Sequence, residues 1–307
     1  MSCWSDYWAG GVLTSLPEDF GGNYDGEIAQ FWAQQFVQIP DNGVVLDVCT
    51  GNGAVALLAA EASLQSTKPF SVHALDGAHI QPERAAQAHG LNPSLIERIE
   101  FIDQTPFEQY QATDETFDLI ISQYGMEYCH WRLAAAQCQR LLKPSGRLVI
   151  VSHAVDSDIL STMQDEYADY QVVMNTGLTD ALLTALTQGV FNRGLQTRLT
   201  SIVERIEQAK GAQASPLLNF GFQLAVQTSR LNGQQWAQYR EPVRTAVNQL
   251  TQGYARLQQM LSVHERMLAH QPWTDCFVEA GLTRMDHGQL LYQQRHRVGD
   301  YHRLFKP

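Results

Sequence analysis

The stretch that most constrains the fold of this 307-residue chain is Val44-Val45-Leu46-Asp47-Val48, followed by Cys49-Thr50-Gly51-Asn52-Gly53 and then Ala54 to Ala62. Four of the first five residues are apolar and three are valines, as in a strand buried on both faces of a parallel sheet. Glycines make the turn, and the alanine- and leucine-rich segment after it is a strong helix former. A strand, a tight glycine turn and a helix open a βαβ unit.

The same alternation continues. Ser71 to Asp76 reads as a second strand, Gln81 to Ala88 as a helix and Ile99 to Ile102 as a third strand. Phe117 to Ser122 reads as a fourth strand, Trp131 to Leu142 as a helix stopping before Lys143-Pro144-Ser145-Gly146, and Leu148 to Val151 as a fifth strand. This order predicts an α/β chain with a doubly wound, mostly parallel sheet. Ahead of it, Trp4 to Phe20, with Tyr7, Trp8 and Pro17, reads as an irregular arm. Asn23-Tyr24-Asp25 supplies cap-type residues before Ile28, Phe31, Trp32 and Phe36 at helical spacing, and Pro40-Asp41-Asn42-Gly43 is a turn.

From about residue 155 to 270 the chain reads as helix after helix. Leu195, Leu199, Ile202 and Ile206 form one stripe. A long helix is expected from Pro242, a first-turn residue, to His270. Its seam, Val243, Ala246, Leu250, Leu257, Leu261 and His264, is expected to pack within the helical region, with a two-fold dimer contact as the alternative. Trp273 to Ala280 reads as a helix ended by Gly281, and Thr283 to Gln293 with Arg297 to Leu304 as an antiparallel strand pair. The expected organisation is therefore an arm and helix over residues 1–40, a core over 41–155, a helical insertion or lid over 156–270 and a completing segment over 271–307. The last strand is antiparallel, and the insertion follows the fifth strand.

Net charge is -11, which argues against holding nucleic acid by phosphate neutralisation. Cysteines stand at 3, 49, 129, 138 and 276, an odd number without a CxxC pair, so reduced thiols in a cytoplasmic chain are expected rather than disulfides or zinc. Residues 1–11 lack a basic segment followed by an apolar run and do not read as a signal peptide. No apolar stretch approaches the length of a membrane span.

The glycine loop lets a ligand approach the backbone, and the helix behind it offers unpaired N–H groups. Gly51-Asn52-Gly53-Ala54-Val55-Ala56 also fits a dinucleotide pattern, so NAD is one reading and a loop without a ligand another. Asp47 argues against NAD. A carboxylate there repels a pyrophosphate and suits a ligand with an ammonium group, such as the methionyl end of S-adenosylmethionine. Asp76, closing the second strand, can accept hydrogen bonds from both ribose hydroxyls.

Residues 46–53 resemble the first motif of class I S-adenosylmethionine-dependent methyltransferases, with Cys49 where the family often has a glycine. Ala74-Leu75-Asp76 resembles the acidic second motif, and Phe117 to Gln123 the fourth-strand motif. Leu141-Leu142-Lys143-Pro144-Ser145-Gly146-Arg147-Leu148 is similar to the turn before the fifth strand. The likeness covers about residues 40 to 155 and implies a Rossmann-like fold with S-adenosyl-L-methionine at the carboxyl ends of the strands. It implies that Asp47 orients the methionyl ammonium, that Gly51 and Gly53 allow close approach, and that Asp76 holds the ribose. Cys49, Asn52 and Gly77 join these contacts. Asp103-Gln104-Thr105 would meet the adenine, with the acid two positions earlier than in many relatives, and Ser122 and Gln123 would line the methionyl end.

Tyr24 and the arm aromatics Trp4, Tyr7 and Trp8 would shield the sulfonium, since ring faces attract cations, or else simply pack. His153 after the fifth strand and Glu127 after the fourth are the candidate proton acceptors, each with an ordinary structural role as the alternative. His287, His296 and His302 lack metal-ligand spacing. Tyr167, Tyr170, Asn175 and Phe191 are candidate pocket residues of the insertion, equally explained by helix packing. The expected activity is methylation of a small molecule, at O, N or S. RNA or protein methylation is an alternative, although Ser122-Gln123-Tyr124-Gly125 stands where an Asn-Pro-Pro-Tyr tetrad would be. A non-catalytic cofactor-binding module is another.

Overall fold

A computed structural model describes residues 3–15, 20–154, 158–209 and 215–307. Pro17 and the expected boundary at 155–156 lie outside them. The chain divides into two compact units, Met1–Asp156 with Val263–Pro307, and Ser157–Ser262.

The first unit opens with α1 (Cys3–Ala9) and α2 (Gly26–Phe36). Then come β1 (Val44–Val48), α3 (Ala54–Gln65), β2 (Ser71–Leu75), α4 (Pro82–Ala88), α5 (Pro93–Ile96), β3 (Ile99–Ile102) and β4 (Phe117–Gln123). α6 (Trp131–Leu141) leads directly into β5 (Leu142–Ser152). Adjacent residues of each strand face opposite cores: Val45, Leu119 and Val149 pack on the α2–α3 side, while Leu46, Ile120 and Ile150 pack on the α6 side. Burial on both faces is why these strands read as continuous apolar runs.

The second unit holds α7 (Asp158–Asn175), α8 (Leu178–Gln188), α9 (Arg193–Ala209), α10 (Pro216–Ser229) and most of α11 (Gly233–Ala269). Ser215 caps α10, accepting from the Leu218 N–H at 3.1 Å, with Pro216 in the first turn. Leu199, Ile202 and Ile206 of α9 and Val243, Val247, Leu250 and Leu257 of α11 meet in one core. The α11 seam from Val243 to Leu261 thus packs inside this unit, whereas His264 falls in the first. Tyr167 stacks on Tyr254 and Phe191 on Trp236, and Tyr170 is buried, whereas Asn175 is exposed.

The last stretch of α11 belongs to the first unit and is followed there by α12 (Asp275–Glu279), β6 (Thr283–Tyr292) and β7 (His296–Phe305). The seven strands run in the order β3-β2-β1-β4-β5-β7-β6. β1 to β5 pair in parallel, and β7 is antiparallel to both β5 and β6. This is the expected doubly wound sheet, its order reversing between β1 and β4.

Three boundaries differ from the sequence reading. The arm begins as a helix, α1, whose aromatic side chains pack against the core unit. α11 starts at Gly233, nine residues before Pro242, because Asn232 and Gln235 cap each other at 2.9 and 3.0 Å and Trp236 is buried. β5 starts at Leu142 rather than Leu148. Leu142 pairs with Phe117, the next four residues bulge out with Ser145 at φ +65°, and pairing resumes at Arg147. Ser145 N–H donates to the Lys306 carbonyl and Lys306 N–H to that of Gly146, which fixes the bulge.

Candidate functional site

Strand order reverses between β1 and β4, and open α/β sheets bind ligands at the carboxyl ends of the strands beside such a reversal. Asp47, Gln123 and Ser152 stand near the ends of the adjacent strands β1, β4 and β5. Strands lie about 4.8 Å apart, so the span from Asp47 to His153, just beyond β5, is roughly 10 Å.

Asp47 is buried. One of its oxygens accepts from Thr50 Oγ1 at 2.6 Å and from the Ala56 N–H at 3.1 Å. Burial pushes its pKa up to about 7. Asp76 accepts from the Gly51 N–H at 2.8 Å and the Ala78 N–H at 2.7 Å, and burial raises its pKa to about 6. Among the described residues neither carboxylate has an ion-pair partner. A buried uncompensated carboxylate is costly, and a cationic group placed beside Asp47 would offset that cost. Gln123 offers the complementary feature. Its Oε1 accepts from Trp32 Nε1 at 2.5 Å, while its buried Nε2 makes at most a weak, long contact with the Tyr24 hydroxyl. A cation acceptor and an amide donor on adjacent strands suit a zwitterion.

The loop between them is shaped for close approach. Gly51 has φ +56°, and a Cβ there would sit 2.4 Å from the Trp8 ring. Gly53 precedes α3 and faces Phe101. Asn52 is fully buried; its Nδ2 donates to the Trp8 and Val12 carbonyls at 2.9 and 2.7 Å, and its Oδ1 accepts from the Gln81 N–H at 2.8 Å. It therefore ties the arm to the loop. α1 is held further by Ser5 Oγ, which accepts from the His79 N–H at 3.0 Å, and by the edge of Trp4 against Tyr128.

Cys49, Gln104 and Tyr124 follow β1, β3 and β4 with φ of +58°, +52° and +55°. Non-glycine residues in this region cost on the order of 1–3 kcal/mol each and cluster at functional sites. Cys49 Sγ lies 3.8 Å from Cys129 Sγ, and this contact, then burial, raises the Cys49 thiol well above its usual pKa. Gly125 makes room for it, since a Cβ at 125 would sit 2.3 Å from the Cys49 Cβ. Ser122 Oγ donates to the Val48 carbonyl at 2.8 Å, joining β4 to the end of β1.

The other candidates are placed as follows. Tyr24 is buried against Phe20, and its hydroxyl meets Ser15 Oγ at 2.9 Å, so it stands in the core near Asp47 with its ring edge-on to Phe20. Gly77 lies against Pro106. Asp103 is half-buried and bonds His79 Nδ1 at 2.7 Å, while the Gln104 and Thr105 N–H groups donate to the Ala78 and Asp76 carbonyls. The loop after β3 is thereby held beside Asp76.

Glu127, fully buried, and His153 are brought together. Glu127 Oε1 accepts from His153 Nδ1 at 2.7 Å and from its N–H at 3.0 Å. Glu127 Oε2 is buried without a partner among the described residues. The His153 ring lies 4.8 Å from that of Tyr124. Sequence reasoning did not single out Arg266, Cys129 or Trp32, which reach the site from distant elements and carry no local motif. Asn52 was singled out as a ligand contact; its side-chain bonds hold the arm.

The family described as "Methyltransferase domain" matches residues 45–146, about a third of the chain. This segment is similar to a methyltransferase domain; it runs from β1 through the bulge of β5 and holds Asp47, Asp76 and Glu127. Among curated proteins none matches. Similar solved structures include geranyl diphosphate C-methyltransferase from Streptomyces coelicolor A3(2), at 13% identity and TM-score 0.34, with 41% of this chain covering 42% of that one. Another comes from the complex between the Haloferax volcanii Trm112 methyltransferase activator and a methyltransferase, at 18% identity and TM-score 0.40, covering 54% and 67%. A third is an S-adenosyl-L-methionine-dependent methyltransferase structure from Methanococcus maripaludis, at 19% and 0.35, covering 59% and 74%. The chain spans less than half the length of the geranyl diphosphate enzymes, and likenesses of this size carry no argument about substrate. Among the described residues no helix is long and apolar enough to cross a membrane, and no three His, Cys, Asp or Glu side chains gather to hold a metal.

Proposed function

We propose that this chain methylates a hydroxyl group of a small molecule, using S-adenosyl-L-methionine and a His153–Glu127 pair as base. The observation that carries this reading is the 2.7 Å bond between His153 Nδ1 and the fully buried Glu127 carboxylate. A carboxylate on Nδ1 fixes the tautomer whose Nε2 takes a proton, and it stabilises the imidazolium that results. Such an arrangement serves an acceptor that must lose a proton, as a hydroxyl must.

The bound cofactor supplies an electrophilic methyl on a sulfonium. Asp47 would pair with its ammonium, Gln123 Nε2 would donate to its carboxylate, and Asp76 would accept from its ribose. Gly51 and Gly53 would let the backbone come close, and α1 would exclude water. His153, two strands across from Asp47, would hold the acceptor hydroxyl and take its proton at Nε2. The net charge of -11 supports a small acceptor over RNA.

The test is methyl transfer from labelled cofactor to parallel panels of phenols, hydroxy acids, amines, thiols, RNA and protein. The reading expects turnover on a hydroxyl acceptor, with kcat lowered roughly 100-fold or more in His153→Gln and in Glu127→Gln. Turnover only on RNA or protein, or an unchanged kcat in both variants, overturns it.

A further inference from the structure

The loop that carries Glu127, residues 125–129, makes a tight 3-10 turn between β4 and α6. The Gly125 and Met126 carbonyls are used inside it, accepting from the Tyr128 and Cys129 N–H groups. The Glu127 and Cys129 carbonyls point out, and Arg266 of α11 takes both. Its Nη2 donates to the Glu127 carbonyl and, at 3.3 Å, to that of Cys129. The guanidinium lies 4.3 Å over the Trp131 ring, and Trp131 Nε1 donates at 2.9 Å to the same Glu127 carbonyl. Arg266 thus turns to backbone oxygens while the Glu127 carboxylate turns to His153.

The geometry points to Arg266 as a positioning residue: its clamp on the Glu127 and Cys129 carbonyls sets the side-chain direction that holds the Glu127 carboxylate on His153. This rests on the pairing role proposed for Glu127 and His153. A planar, stacked guanidinium satisfies two carbonyls in a fixed geometry, which a lysine ammonium does not. Without Arg266 the Cys129 carbonyl loses its donor and the Glu127 carbonyl keeps only Trp131 Nε1, which favours another loop conformation, and a small rotation there moves the carboxylate off Nδ1.

The tautomer of His153 reads this directly and needs no acceptor. Protein carrying nitrogen-15 histidine is compared as wild type, Arg266→Gln, Arg266→Lys and Glu127→Ala, which removes the acceptor, with the His153 signals identified by their loss in His153→Asn. The wild type is expected to hold His153 as the Nδ1–H form with a protected ring proton. In Arg266→Gln that form gives way to the Nε2–H form preferred by free imidazole. Arg266→Lys, which keeps the charge, shows the same change in part, so it decides the matter should the glutamine variant not fold. A wild-type His153 tautomer in either Arg266 variant, with the change still seen in Glu127→Ala, overturns the role of Arg266 alone. No change in Glu127→Ala either means that the pairing itself is wrong.

Discussion

Asn52, at the centre of the glycine loop, donates from its side-chain amide to the carbonyl of Trp8, 44 residues earlier, at 2.9 Å. One buried side chain thus holds the arm on the loop that receives the cofactor. Asn52→Ala removes three hydrogen bonds and is expected to lower stability by about 1–3 kcal/mol. It should also free α1, seen as faster chymotryptic cleavage at Trp4, Tyr7 and Trp8. Cleavage at the wild-type rate would mean that other contacts hold the arm.

The raised pKa values of Asp47, about 7, and Asp76, about 6, make the molecule pH-sensitive. Between about pH 4 and 7 the folded chain holds protons that the unfolded chain has released, so these groups make stability fall as pH rises through that window. Binding has the opposite slope, because only ionised Asp47 pairs with an ammonium. Cofactor affinity should rise with pH up to about 7, by at most about tenfold per unit, with proton release on binding. Calorimetry at pH 5.5, 6.5 and 7.5 in buffers of different ionisation enthalpy reads both. An affinity that does not change with pH would be inconsistent with this account.

Gly125 and Cys49 share one space. Gly125→Ala places a Cβ against Cys49 and is expected to cost about 1–3 kcal/mol. Cys49→Gly removes the obstacle and also suits the φ of +58°. The double variant should therefore recover most of the loss, and a thermodynamic cycle that proves additive would contradict the shared contact.

Asn232 starts α11. Asn232→Ala should destabilise the helical unit by about 1 kcal/mol, measured by denaturant unfolding. A loss no larger than that of an exposed α11 substitution such as Gln238→Ala would place the start of the helix elsewhere.

The sheet was readable because parallel strands buried on both faces leave continuous apolar runs, and Val44–Val48 with its glycine turn located the reversal of strand order. Asp47 and Asp76 were readable for the same reason, as single acids closing otherwise apolar strands. α1 was not. Its seven residues have no helical signature, and what holds it, Asn52 and the His79 backbone, lies far along the chain. The start of α11 was misplaced because Pro242 resembles a first-turn residue, although the Asn232–Gln235 capping box was available as the better signal. Arg266 reaches Glu127 across 139 residues, and Cys129 reaches Cys49 across 80. No local pattern marks either contact.

Whether Asp47 receives the ammonium of an adenosyl cofactor is decided by calorimetric titration with S-adenosylmethionine, S-adenosylhomocysteine and NAD, for wild type and Asp47→Asn. Wild type is expected to bind both adenosyl ligands and not NAD, and Asp47→Asn to stay folded but bind them at least about tenfold more weakly. Binding of NAD in their place, or unchanged affinity in Asp47→Asn, would contradict that role.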